Sequence, residues 1–107
     1  MSSEALRKSR RRTTAFLLDA RAHLSEAAEG ICAREIFEFE AFIGQNELEL
    51  ALDMLEEAFE KSGTWRALEL MAQAALSMGL VERQRRYDEQ LSKGRGWTYR
   101  TVLPTDR

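Results

Sequence analysis

The sequence predicts an all-α protein: a small bundle of four to five antiparallel amphipathic helices arranged as an array of helical hairpins. Three observations lead there. One Pro and six Gly in 107 residues leave long stretches with no breaker. Apolar residues recur at three- and four-residue steps, the period of a helix face and not of a strand. The glycines fall between those stripes, where helices would stop. A chain of this length makes one domain with one modest core, and 44% hydrophobic with 32% charged residues is an ordinary globular balance.

The first helix is expected from about Glu4 to Ala28, with Phe16, Leu17, Ala20, Leu24 and Ala27 as its stripe. Before Ala15 that pattern fails: Arg7, Lys8, Arg10, Arg11 and Arg12 fall on all sides of a helical wheel and repel one another. Residues 1–14 are therefore expected to form a basic, frayed arm, and Gly30 to supply a left-handed cap. The second helix, Cys32 to Ile43, turns Ile36, Phe39, Phe42 and Ile43 inward, with Phe37 and Ala41 widening the stripe, and closes at Gly44.

Asn46 is expected to cap the third helix, with Glu49 reaching back as in a capping box. That helix, Glu47 to about Lys61, buries Leu48, Ala51, Leu52, Leu55 and Phe59 and lines up Glu49, Asp53, Glu56 and Glu60 on the opposite face. Ser62-Gly63-Thr64 reads as stop and restart, with Thr64 capping a fourth helix over Trp65 to Met78. The fourth helix buries Leu68, Met71, Ala72, Ala75 and Leu76, and Trp65 seats its start in the core. A fifth, Val81 to Lys93, carries Leu80, Gln84, Tyr87 and Leu91 on one side and Arg83, Arg85 and Arg86 on others. Residues 15–93 thus form one helical domain. The tail, residues 94–107, holds Trp97, Tyr99, Val102 and Leu103 in near-alternation and is expected to lie as an extended strap. Gly44 and Gly79 stand 35 residues apart, near the period of a tetratricopeptide repeat, but the surrounding residues do not repeat. Helical hairpins with similar loops are the better expectation.

Charge is segregated along this frame. Residues 1–34 hold four acids and seven bases, residues 35–61 nine acids and one base, and residues 62–107 five acids and eight bases. An anionic middle between basic ends suggests a cationic partner. A surface shaped by solubility alone would mix signs, because like charges at four-residue spacing cost stability.

Enzyme chemistry finds little support. His23 is the single histidine and is expected as a packed core or boundary residue; Cys32 is the single cysteine, placed where a helix dipole lowers a thiol pKa but with one candidate base in the chain. Zinc lacks ligands, Glu49, Asp53 and Glu56 on one straight helix cannot wrap a calcium ion, and no phosphate-binding glycine loop occurs. No metal and no cofactor is expected. A lone cysteine gives no intrachain disulfide, and no apolar run follows Arg12 or is long enough to span a bilayer, so a cytoplasmic protein without a membrane association is expected.

The run from Ile36 to Leu55, with its short helix, turn and Glu-x-x-x-Ala-Leu-x-x-Leu helix at Glu47–Leu55, resembles the core of small bacterial immunity proteins. These are the MafI-like and colicin-immunity-like proteins of polymorphic toxin systems. Trp65-Arg66-Ala67-Leu68 and Met78-Gly79-Leu80 with Tyr87 and Leu91 resemble their next hairpin, so the likeness covers about residues 34 to 92. The basic arm and the aromatic tail stand outside it. The resemblance implies a non-enzymatic inhibitor that presents acidic side chains to a basic toxin. On that reading Glu49, Asp53, Glu56 and Glu60 pair with Arg or Lys, and Glu38 and Glu40 extend the patch. The alternative is a nucleic-acid-associated or regulatory protein using Arg10, Arg11, Arg12, Arg83 and Arg86, with Trp97 and Tyr99 beside Arg95 and Arg100 as stacking groups. Self-association through Trp97 and Tyr99 is a third.

Overall fold

The structure is a computed structural model that describes residues 3–103. It is all-helical, with six helices among the described residues: α1 (Ser3–Ala22), α2 (Ala28–Ile31), α3 (Ala33–Gly44), α4 (Leu48–Ser62), α5 (Trp65–Ser77) and α6 (Val81–Arg95). The bounds of the expected arm and tail at residues 1–2 and 104–107 lie outside the described residues. Helices α3 and α4 form one antiparallel hairpin and α5 and α6 a second, while α1 packs along α5. Leu17, Ala20, Phe39, Leu52, Leu55, Leu68, Met71, Tyr87 and Leu91 meet in one core. Helix α5 lies at its centre, with Ala67, Leu68, Leu70, Met71, Ala72, Ala74 and Ala75 all buried. Each large aliphatic chain hidden there contributes about 1.5–3 kcal/mol, and the alanines let the neighbouring helices come close.

The two hairpins turn alike. After α3 the Glu47 amide donates to the Phe42 carbonyl (2.9 Å) and the Asn46 amide to Ile43 (3.0 Å). After α5 the Leu80 amide donates to Ala75 (2.9 Å) and the Gly79 amide to Leu76 (3.1 Å). Both are Schellman closures, with Asn46 (φ 57°) and Gly79 (φ 76°) in the left-handed position. The similar loops are therefore real, but Asn46 rather than Gly44 is the counterpart of Gly79. Asn can stand there because it tolerates left-handed backbone. Occupying that site, Asn46 does not cap α4, whose N-cap is Glu47 with no side-chain bond. Thr64 does cap α5, accepting from the Ala67 amide at 3.1 Å.

Helix α1 departs from expectation at both ends. The stretch expected to fray is helical from Ser3. Thr13 is buried, and its hydroxyl lies 2.7 Å from that of Ser77 on α5. Once this point is anchored, arginine, a good helix former, propagates the helix at little cost. At the other end α1 stops at Ala22 and not near Ala28. The Thr64 hydroxyl donates to the His23 carbonyl (2.5 Å), and the Ser25 amide to the Ser62 carbonyl (2.9 Å). Tertiary contacts with the α4–α5 junction thus end the helix. Gly30 falls inside the short α2 and is not a left-handed cap.

The tail folds back on α6. Ser92 Oγ accepts from the Tyr99 amide (2.8 Å), and buried Asp88 accepts from both the amide (3.0 Å) and the hydroxyl of Thr101. Tyr99 and Thr101 face inward, whereas Trp97 and Val102 stay exposed.

Candidate functional site

The acidic residues of α3 and α4 divide into separate groups, several of them paired with cations of their own or other helices. At about 100° per residue, Glu38 and Glu40 leave α3 on opposite flanks. Glu38 accepts from Arg34 at 3.0 Å, and the same guanidinium lies 3.6 Å from Glu57 of α4. Glu40 points toward α1, 3.8 Å from Arg21. Between them, on the outer face, Phe37 is 74% exposed, and Ala41 is exposed as well. Both were expected to widen the buried stripe. They sit about a quarter-turn or more off the Ile36–Phe39–Ile43 line, and the core is complete without them.

The stripe on α4 divides again. Asp53 Oδ1 accepts from Arg83 Nη1 at 2.6 Å. Glu56 Oε1 accepts from Arg86 (2.8 Å), from Arg83 (3.3 Å) and from the Tyr87 hydroxyl (2.6 Å). The Tyr87 oxygen in turn accepts from Arg83 Nε and Nη2, at 3.2 and 3.0 Å. Burial works against the Glu56 charge, but the Tyr87 hydroxyl and the two guanidiniums outweigh it and hold this carboxyl below the usual range. Burial first, and the hydrogen bond to Glu56 second, push the Tyr87 phenol well up. Two residues assigned to an acidic partner site and two assigned to nucleic acid therefore bind each other, joining α4 to α6. Glu49 and Glu60, at the two ends of the stripe, are exposed and carry no ion pair among the described residues.

A further acid, absent from the sequence expectations, is buried. Glu35 is 2% exposed and accepts from Lys61 Nζ (2.7 Å) and Arg34 Nη2 (3.1 Å). The Lys61 hydrogen bond, chiefly, holds its carboxyl below the ordinary range. Its position was readable, since 35 lies three residues after Cys32 and four before Phe39, on the buried stripe. Cys32 beside it is fully buried, and its Sγ lies 3.6 Å from the Ala58 carbonyl. Burial, with the Glu35 charge second, raises the thiol pKa, opposite to the expected effect of the helix dipole. His23 is exposed, not packed in the core or its boundary, with Nδ1 2.8 Å from the Asp19 carbonyl oxygen.

The arginines of α1 have another fate. Arg7, Arg10 and Arg11 line an open cleft of about 470 Å³ with Glu4, Thr14 and Asn46. None of the three forms an ion pair among the described residues. Arg12 does not line this cleft, and its Nε is buried without a hydrogen-bond partner. The C-terminal aromatics already share a cation, although Trp97 stays exposed: the Arg95 guanidinium stands 5.5 Å from the Trp97 ring and 5.3 Å from that of Tyr99, and donates to Glu69 at 2.5 Å. Trp65 is half exposed instead of seated in the core, its indole lying against Gly94 where a Cβ would intrude.

No group of three or more His, Cys, Asp and Glu able to hold a metal ion occurs among the described residues. No helix there is long and apolar enough to cross a membrane. Comparisons with protein-family models, with curated proteins and with solved structures find no match to this chain.

Proposed function

We propose that this chain is a non-enzymatic protein-binding module that captures a cationic protein through the outer face of α3 and the open carboxylates of α4. Its setting on this reading is the bacterial cytoplasm, and neutralising a toxin is the role that the immunity-protein resemblance implies. The observation that carries the reading is Phe37. Its ring stays in water at the centre of the outer face of α3, with Glu38 and Glu40 on the flanks. An aromatic side chain ringed by charge is the composition of an interface anchor, and its burial against a partner is worth about 1.5–3 kcal/mol. Carboxylates without internal partners, Glu49 and Glu60 among them, supply the long-range field that speeds encounter. Asp53 and Glu56 contribute less, because Arg83 and Arg86 already neutralise them.

The test is capture of partners from the source cells by tagged protein at low and at moderate salt. The reading expects a basic protein, held more weakly at moderate salt, and lost on Phe37→Ala and on combined Glu38→Lys and Glu40→Lys. Equal yield of that protein with both variants, each verified as folded by circular dichroism, would sink the proposal. So would a captured partner of acidic character.

A further inference from the structure

A second surface of opposite sign lies on α1. Arg7, Arg10 and Arg11 follow the three- and four-residue steps that put side chains on one side of a helix. Asn46, in the left-handed turn between α3 and α4, lines the same open cleft, and Thr14 adds a hydroxyl. The contrast within the molecule is the informative part. Arg21, Arg34, Arg66, Arg83, Arg85, Arg86 and Arg95 each reach an acid within 4.0 Å, whereas Arg7, Arg10 and Arg11 reach none among the described residues; Arg12 and Arg100 reach none either, but neither lines this cleft. Glu4 lines the same cleft without pairing to them. Three like charges held together in this way repel, at a few tenths of a kcal/mol per pair, and an external anion relieves that repulsion.

We propose that this cleft binds the phosphodiester backbone of nucleic acid. Guanidinium groups match phosphate geometry through paired N–H donors. Arg7 to Arg11 spans about one helical turn, roughly 6 Å of axis, close to two phosphate steps of about 3.4 Å along one strand. Among the described residues, no aromatic side chain on which a base could stack lines the cleft. Binding is therefore to the backbone and independent of sequence. Arg83 and Arg86 take no part, being committed to Asp53 and Glu56. The inference is independent of the protein-binding reading, since it uses residues of opposite sign on a different helix.

Fluorescence anisotropy of a labelled DNA duplex of about 20 base pairs, titrated with the full chain at about 50 mM salt, tests the assignment. Three phosphate contacts give a slope of log K against log salt of about −2 to −3. The triple substitution Arg7→Ala, Arg10→Ala, Arg11→Ala is expected to weaken binding at least about tenfold and flatten that slope, while Arg86→Ala leaves both unchanged. These arginines are exposed, and retained helix content in the triple variant shows that loss of binding is not loss of fold. Absence of binding at low salt overturns the proposal, as does equal binding by the triple variant. Displacement of the duplex by millimolar inorganic phosphate at constant ionic strength would assign the cleft to a small anion and overturn the assignment to nucleic acid. Glu38→Lys with Glu40→Lys, the variant that tests capture of a basic protein, is expected to leave duplex binding intact.

Discussion

The arginines of α1 and those of α6 are alike in sequence and opposite in circumstance. Arg7, Arg10 and Arg11 crowd one face of a helix, and so do Arg83 and Arg86, three residues apart. Yet Arg83 is tied to Asp53, Glu56 and Tyr87, with its guanidinium carbon 6.0 Å from the Tyr87 centroid, while Arg7, Arg10 and Arg11 line an open cleft. The pair on α6 is part of the fold; the trio on α1 is surface. A run of like charge on a helix therefore states a net field and says nothing about whether that field is cancelled by another helix some 30 residues away.

The largest expected effect that separates the two sets is on stability. Arg83→Ala leaves Asp53 and the half-buried Glu56 short of their main cation and is expected to cost about 1–3 kcal/mol, measured by urea denaturation. Arg10→Ala is expected to stay within about 0.5 kcal/mol. Equal losses would remove the distinction.

Next in size is the turn that both hairpins share. Gly79→Ala places a Cβ in left-handed backbone and is expected to cost about 1–2 kcal/mol, whereas Asn46→Gly relieves backbone strain at the equivalent site and is expected to be neutral or slightly stabilising in the same assay. Destabilisation by Asn46→Gly would mean that the Asn46 side chain does more in that turn than accept a positive φ.

Tyr87→Phe removes one hydroxyl that both donates to Glu56 and accepts from Arg83. It is expected to cost about 0.5–1.5 kcal/mol, and much less when introduced together with Glu56→Gln. Additive losses in the double variant would show that the three groups do not act as one network.

The smallest effect is on pH dependence. The carboxyls of Glu35 and Glu56 lie below their ordinary value of 4.5. A depressed pKa means that the unfolded chain binds protons more readily, so stability is full above about pH 5 and declines as pH falls through the folded values. Thermal denaturation from neutral to acid pH is expected to show a fall in Tm beginning below that region, flattened by Glu35→Gln and unchanged by Arg10→Ala. A wild-type profile that stays level into the acid range would deny both ion pairs a role in stability.

Much of the fold was legible because it rests on local periodicity. The stripes of α4 and α5, the Thr64 cap and the inward Ile36 and Phe39 all follow from side chains three and four residues apart. The arm of α1 was legible too, in a weaker signal: Leu6, Ser9, Thr13, Leu17, Ala20 and Leu24 keep the same steps, with small polar residues standing where apolar ones were sought. Asn46 misled because one residue type serves two ends, capping a following helix or closing a preceding one in left-handed backbone. Local sequence does not say which neighbour wins.

The candidate sites divide along the same line. By itself the sequence determined that helices form, which face of each is apolar, and that acids gather in the middle of the chain between basic ends. These properties depend on neighbours within a turn or two. Only the tertiary structure decided that Asp53 and Glu56 meet Arg83 and Arg86, that Glu38 and Glu40 part around an exposed Phe37, that Glu35 is buried on Lys61, and that Arg7, Arg10 and Arg11 meet no acid among the described residues. Electrostatic partnership acts through space at a few ångströms, and the helices that bring such partners together are set by packing of the whole core, which no single stretch of the chain encodes.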